Sequence, residues 1–285
     1  MERTRNKSGK NQQKQSKFIN SGFLMTVFLF SFLSFFFNLR SASADLAAGL
    51  VSYWKLDETS GTTAFDSAGT NNGAIINGPA WTTGKINNAL SFDGSNDYVN
   101  MGNVLNMGTG DFTLSAWVKT TNNVFQSVIR KRITSTAAGY TFNINSNGTV
   151  NVIISDGTNT VISSNGTVVN DGNWHHVAAV FNRSGSVVRY VDGVAQAGTS
   201  ISAVGDINNN ANFTLSIGSG TAVFSGQVDE VRVYNRALST GDIQDLYNYT
   251  APAVITAAAS NIAATSAALN GTVNPKGSSV DVYFQ

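Results

Sequence analysis

The stretch Tyr140-Thr-Phe-Asn-Ile-Asn-Ser-Asn-Gly-Thr-Val-Asn-Val-Ile-Ile-Ser-Asp-Gly157 decides the fold class. Two runs rich in Val, Ile, Phe and Tyr flank Asn147-Gly148, a dipeptide that accepts the positive φ of a tight hairpin turn. They read as antiparallel strands over 140–145 and 149–155. Asp156-Gly157, Asn165-Gly166 and Asp192-Gly193 repeat the turn signal. Further strand-length runs occur at 50–56, 89–93, 112–119, 174–182, 187–191, 213–217 and 226–234. No helical-period segment separates these runs, so the expectation is an all-β sandwich or jelly roll and not a parallel sheet.

One helix follows the last strand. Ser239 is a good N-cap with Asp242 three residues on, and Leu238 and Ile243 occupy the positions of a hydrophobic staple. Ile243, Leu246 and Tyr247 share one face, which predicts a short helix lying against the end of the sandwich and closing the domain.

The two ends of the chain differ in composition from this middle. Residues 1–18 carry a basic stretch (Arg3, Arg5, Lys7, Lys10, Lys14, Lys17), residues 19–39 are dominated by apolar side chains, and Ala42-Ser43-Ala44 is an A-x-A site. This reads as an export signal over 1–44 cleaved after Ala44. The alternative is an uncleaved anchor, because the apolar run is near the lower end of the ~17–25 residues that span a bilayer. Either reading places the remainder outside the cytoplasm, at the cell surface or beyond it, touching membrane only through that segment.

Removing residues 1–44 takes away seven of eighteen basic residues and one of seventeen acidic ones, leaving eleven against sixteen, a balance of −5. That excludes the basic stripe of a nucleic-acid binder. Cysteine is absent, so an exported chain is held by its core alone, without disulfides or thiol chemistry. After Thr250 the chain turns rich in Ala, Ser and Thr, with Pro252 at the junction, which divides it into a domain over 45–250 and a linker with the start of another unit over 251–285.

Four blocks carry a resemblance: Leu50-Val-Ser-Tyr-Trp-Lys-Leu-Asp-Glu58, Ala89-Leu-Ser-Phe-Asp-Gly-Ser-Asn-Asp-Tyr-Val99, Trp174-His-His-Val-Ala-Ala179 leading to Tyr190-Val-Asp-Gly193, and Gly226-Gln-Val-Asp-Glu-Val-Arg-Val-Tyr-Asn-Arg-Ala-Leu-Ser239. In order and spacing they resemble bacterial laminin-G-like modules of the concanavalin-A-like lectin and glucanase superfamily. The resemblance implies a concanavalin-A-like antiparallel jelly-roll β-sandwich. The tail, through Thr265-Ser-Ala-Ala-Leu-Asn-Gly-Thr-Val-Asn-Pro275 and Tyr283-Phe284, is similar to the opening of fibronectin-type-III-like repeats. Such a sandwich needs ~100 residues and about seven strands, so a truncated second β-sandwich is expected.

The superfamily includes glycoside hydrolases, which need two facing carboxyl groups roughly 5–9.5 Å apart. The mature chain has only Glu58 and Glu230 as glutamates, each directly after an aspartate. Neighbours on a regular strand point to opposite faces, so neither Asp57-Glu58 nor Asp229-Glu230 makes a catalytic pair, and no enzyme is expected. His175 and His176 on a strand diverge in the same way and do not hold one metal ion.

Calcium is the cofactor to consider. The resemblance, and not local spacing, motivates Asp66 and Asp229 as ligands of a structural ion; the alternative is that Asp66 caps a turn and Asp229 pairs locally. Trp54, Trp117 and Trp174 fall inside strand runs and are expected in the core, whereas Trp81 and Tyr98 near Gly-Asn-rich loops are the candidates for ligand contact. Arg130-Lys131-Arg132 attracts an acidic glycan on one reading and is a solvated strand edge on the other. The function expected is a non-catalytic binding or adhesion module for carbohydrate or another extracellular surface. The alternatives are a structural spacer in a multidomain surface protein and an accessory domain of an enzyme.

Overall fold

A computed structural model of the protein describes residues 46–216 and 222–250, together with the backbone of 253–260 and 268–274. The export segment over 1–44 and the run 280–284 lie outside the described residues. In chain order the strands are Leu50–Trp54 (β1), Thr63–Ala64 (β2), Gly73–Ile76 (β3), Ala80–Thr83 (β4), Asn88–Asp93 (β5), Tyr98–Asn100 (β6), Phe112–Lys119 (β7), Gln126–Arg132 (β8), Gly139–Ile144 (β9), Val150–Ser155 (β10), Thr160–Ser163 (β11), His175–Phe181 (β12), Ser186–Val191 (β13), Val194–Ala195 (β14), Thr199–Ser200 (β15), Thr214–Leu215 (β16) and Ser225–Tyr234 (β17). The helix Thr240–Asn248 (α1) follows, then Ala253–Ser260 (β18) and Ala268–Asn274 (β19).

Two antiparallel sheets make the sandwich. The first runs β14-β13-β12-β7-β17-β5-β4, with β1 also on β17 and β15 on β13; the second runs β11-β10-β9-β8-β16-β6-β3-β2. Alternation along each strand builds the space between them. From the first sheet come Phe112, Leu114, Val177, Phe181, Val231 and Val233, and from the second Tyr140, Phe142, Ile144, Val152 and Ile154. Phe112 stacks on Phe181 with ring centroids 4.1 Å apart, and Trp54 on Phe213 at 5.4 Å. The turn dipeptides behave as their chemistry dictates: Asp192 (φ 51) and Gly193 (φ 78) link β13 to β14, with Val191 opposite Val194.

Three expectations are corrected. The helix is capped as read, since Asp242 N–H donates to Ser239 Oγ at 3.1 Å and Ser239 N–H to Asp242 Oδ2 at 2.9 Å. It lies, however, on the outer face of the first sheet and not at the end of the sandwich. Ile243, Leu246 and Leu238 join Ala178, Val180, Tyr190 and Tyr234 in a second apolar cluster. That face is apolar because β7, β12, β13 and β17 direct large side chains to both sides. Trp174 precedes β12 and is half-buried, outside the core that takes Trp54 and Trp117. The tail, among the described residues, is one two-stranded antiparallel sheet with Ala253 opposite Asn274, and no second sandwich is seen.

Candidate functional site: a polar cleft on the outer face of the second sheet

The alternation that sends Tyr140, Phe142, Val152 and Ile154 into the core turns Thr141, Asn143, Asn151 and Ile153 outward. Register sets these into rows. Arg130, Thr141, Ile153 and Ile162 stand side by side across β8, β9, β10 and β11, and Ser127, Asn143 and Asn151 form the next row. A cleft of about 280 Å³ lies over them, lined by Phe125, Ser127, Arg130, Arg132, Thr141, Asn143, Ile153 and Ile162 among others.

The floor is polar and buried. Asn143 donates through Nδ2 to Thr141 Oγ1 at 2.7 Å and to Asn151 Oδ1 at 3.2 Å. Ser127 is 2% exposed and its Oγ has no partner among the described residues. A buried hydroxyl left unpaired costs on the order of 1–3 kcal/mol, a cost that a ligand group or water bonded there removes. The walls are apolar: Phe125 is 41% and Ile162 57% exposed. Apolar walls around a few convergent polar groups are the usual make-up of a small-ligand site.

Arg130-Lys131-Arg132 is not a solvated edge, because β8 lies between β9 and β16. Lys131 turns away from the cleft. Its Nζ donates to Asn103 Oδ1 at 2.6 Å and Ala211 O at 2.5 Å, and burial pulls the ammonium down to about 8. Arg130 and Arg132 turn into the cleft, steadied by backbone carbonyls: Arg130 Nε and Nη2 donate to Arg132 O and Ile133 O, and Arg132 Nε and Nη2 to Ala137 O and Ser135 O. Burial works against both charges, and for Arg132 so does its neighbour Arg130.

Asp66, Asp229, Trp81 and Tyr98, read from sequence as site candidates, lie outside the lining of the cleft. Trp81 sits on β4, half-buried against the core, and Tyr98 on β6 of the other sheet; neither lines the cleft. Asp66 accepts backbone N–H groups from Tyr53, Ala68 and Gly69 on Oδ1 (2.8, 3.1 and 2.9 Å) and from Asn71 on Oδ2 (3.0 Å), fastening the loop after β2 to β1. Burial opposes ionisation there, but those donors outweigh it and hold the carboxyl below its usual range. Asp229 on β17, opposite Trp117 on β7, is fully buried; its Oδ2 takes the Ile86 N–H at 2.9 Å while Oδ1 has no partner among the described residues. Burial first, then the charges of Glu230 and Asp57, push it up to about 8. Among the described residues no three His, Cys, Asp or Glu side chains gather as metal ligands, and the donors already on Asp66 are those of a turn cap. Asp66 and Asp229 are each held by backbone N–H groups of their own surroundings.

A β-bulge changes the carboxylate argument. The register slips between Asp229 and Arg232, with Glu230 at φ 54, so Asp229, Glu230 and Arg232 all sit on the outer face of the first sheet. Glu230 is nonetheless engaged: it accepts from Tyr53 Oη at 2.6 Å and Arg232 Nη2 at 2.5 Å, and is 1% exposed. His176 is buried on the same face, 2.9 Å from Ser115 Oγ; burial, then Arg232, pull it down to about 3. His175 instead lies between Asp192 (2.8 Å) and Asp171 (3.0 Å).

Sequence reading missed Phe125, Ser127, Asn143 and Ile162 as site residues. Polar residues alternating with apolar ones in Tyr140-Thr-Phe-Asn-Ile144 were the available signal. What it lacked was the pairing that sets four strands side by side.

A family model described as the concanavalin A-like lectin/glucanases superfamily matches residues 93–244, more than half of the chain. No curated protein matches. Among solved structures, the binding domain of Paraclostridial Mosquitocidal Protein 1 is similar at 16% identity and TM-score 0.63, over 72% of this chain and 53% of that one. Domain 4 of AbnA, an extracellular arabinanase from Geobacillus stearothermophilus solved with arabinotriose, is similar at 19% identity and TM-score 0.56, over 70% of this chain and 98% of that one. The ligand-binding domain of botulinum neurotoxin serotype D, solved with N-acetylneuraminic acid, is similar at 15% identity and TM-score 0.58, over 72% and 52%. The chain thus spans about half the length of the toxin domains it matches. Nothing in these comparisons points to a fibronectin type III repeat.

Proposed function

This chain belongs to the concanavalin A-like lectin/glucanases superfamily, and from that membership we propose that its sandwich is a non-catalytic module binding carbohydrate in the cleft on the second sheet. The observation that carries the reading is the cleft floor. It presents a buried hydroxyl, Ser127 Oγ, unpartnered among the described residues, in the row that holds Asn143, under the exposed walls Phe125 and Ile162. Sugars offer the matching surface, hydroxyl donors and acceptors around apolar ring faces that pack on such walls. The similar structures solved with arabinotriose and N-acetylneuraminic acid support a sugar as the ligand class.

The non-catalytic part of the reading rests on chemistry: among the described residues no Asp or Glu lines the cleft, so a pair of carboxyl groups across a glycosidic bond is lacking there. Export through residues 1–44 belongs to the same proposal and places the module where extracellular glycans are met. The likeness to one domain of an arabinanase favours one further reading, an accessory module that holds an enzyme on its polysaccharide. Titration of the purified chain against a panel of soluble polysaccharides tests the proposal. Saturable binding to at least one sugar class is expected; a folded protein that binds none contradicts it.

A further inference from the structure

We infer that the cleft selects glycans bearing an anionic group, held by the guanidinium groups of Arg130 and Arg132. The inference rests on the reading of the cleft as a carbohydrate site and names the chemistry of its ligand.

Two cationic side chains stand in one small cleft without a carboxylate. Among the described residues neither Arg130 nor Arg132 forms an ion pair, and no Asp or Glu lines the cleft. Their partners are neutral carbonyls that use Nε and Nη2, so among the described residues each guanidinium has its Nη1 edge without an acceptor. The carbonyls fix both planes in position, and a planar fork held in place is suited to the paired oxygens of a carboxylate or sulfate. Arg130 stands in the same row as Thr141 and three strands from Ile162, roughly 14 Å at ~4.8 Å per strand, so a short oligosaccharide reaches the charge, the polar floor and the apolar wall together. The mature chain carries a balance of −5, so attraction of a polyanion is local to this cleft and not a property of the surface as a whole.

Carboxylate and sulfate share this chemistry, and separate probes tell them apart. The chain without residues 1–44 is titrated with polygalacturonate, with the same polymer fully methyl-esterified, with chondroitin sulfate and with dextran, at ~50 mM and ~500 mM salt. Polygalacturonate or chondroitin sulfate is expected to bind about ten-fold or more tighter than the ester and dextran, to weaken in high salt, and to lose this advantage in Arg130→Gln. Arg130→Lys, which keeps the charge and loses the fork, is expected to keep the salt dependence with lower affinity. If the ester binds as tightly as the acid, or the anionic probes bind without salt dependence, the anionic inference is overturned and the carbohydrate reading stands. If no polysaccharide of either kind binds, both are overturned.

Discussion

Arg189 on β13 of the first sheet reaches across the sandwich to Ser163 on β11 of the second, its Nε donating to the hydroxyl oxygen at 3.0 Å. The same guanidinium donates to the carbonyls of Val150 (3.0 Å), Ser164 (2.9 Å) and Asn165, and the residue is 2% exposed. It is a buried cation satisfied by neutral acceptors, joining the sheets where the strands that carry the cleft begin. Arg189→Met leaves those carbonyls unpaired and is expected to destabilise the domain by about 3–5 kcal/mol. Arg189→Lys is expected to recover only part of that, because an ammonium does not reproduce the fork. Denaturant unfolding of both variants measures the loss; wild-type midpoints contradict the cross-sheet role.

Asp229 makes stability depend on pH. In the unfolded chain it ionises near ~4, whereas in the fold it stays protonated up to about 8. Between those values the folded state binds more protons, so stability falls as pH rises. His176, neutral in the fold down to about 3, acts in the opposite sense below ~6.5, where it is charged only when unfolded. Above ~6.5 the Asp229 contribution is no longer masked by His176. His175, which burial lowers but Asp192 and Asp171 raise overall, adds a loss of the same sign there. Asp229→Asn keeps an acceptor for the Ile86 N–H and removes the titration. Its thermal midpoint is therefore expected to fall less than that of wild type between pH ~6.5 and ~8, and parallel profiles contradict the buried neutral carboxyl.

The helix tests the second apolar cluster. Ser239→Ala removes one half of the capping box and is expected to cost about 1 kcal/mol. Leu246→Ala opens a cavity against the outer face of the first sheet and is expected to cost about 2–5 kcal/mol. Deletion of residues 238–249 is expected to lower the melting temperature further. An unchanged melt on deletion contradicts the docking of α1.

Asp66 separates turn cap from metal ligand. Asp66→Ala leaves the N–H groups of Tyr53, Ala68, Gly69 and Asn71 without their acceptor and is expected to destabilise by about 2–4 kcal/mol. Thermal melts of the wild type in calcium and in chelator are expected to coincide. A midpoint raised by calcium and abolished in Asp66→Ala contradicts the turn-cap account.

The strands that face the core were readable because Phe112 to Lys119 or Ala89 to Asp93 declare themselves by β-branched and aromatic residues. Gln126–Arg132 was not, since its charges look solvated until β9 and β16 are seen on either side of it. Gly73–Ile76 and Ala80–Thr83 are too short to show a period. The capping box was legible because it is a local device. The seat of the helix was not, because it depends on Tyr190 and Tyr234, distant in sequence and separated by two strands in the sheet, both turning to its outer face. The bulge at Glu230 defeats strand alternation with no glycine to announce it. The cleft is the plainest case. Ser127, Asn143 and Ile162 are ordinary strand residues, and only register makes neighbours of them.

The central claim is that the outer face of the second sheet holds the ligand, and the absence of cysteine allows it to be blocked at a single point. Ile162→Cys places one thiol on the 57%-exposed wall of the cleft, and Val194→Cys places one at a 63%-exposed position on the first sheet. Polysaccharide binding is measured for both variants before and after coupling to a bulky maleimide. Labelling is expected to abolish binding in Ile162→Cys and to leave Val194→Cys unaffected. Full binding by labelled Ile162→Cys would contradict the assignment of the cleft.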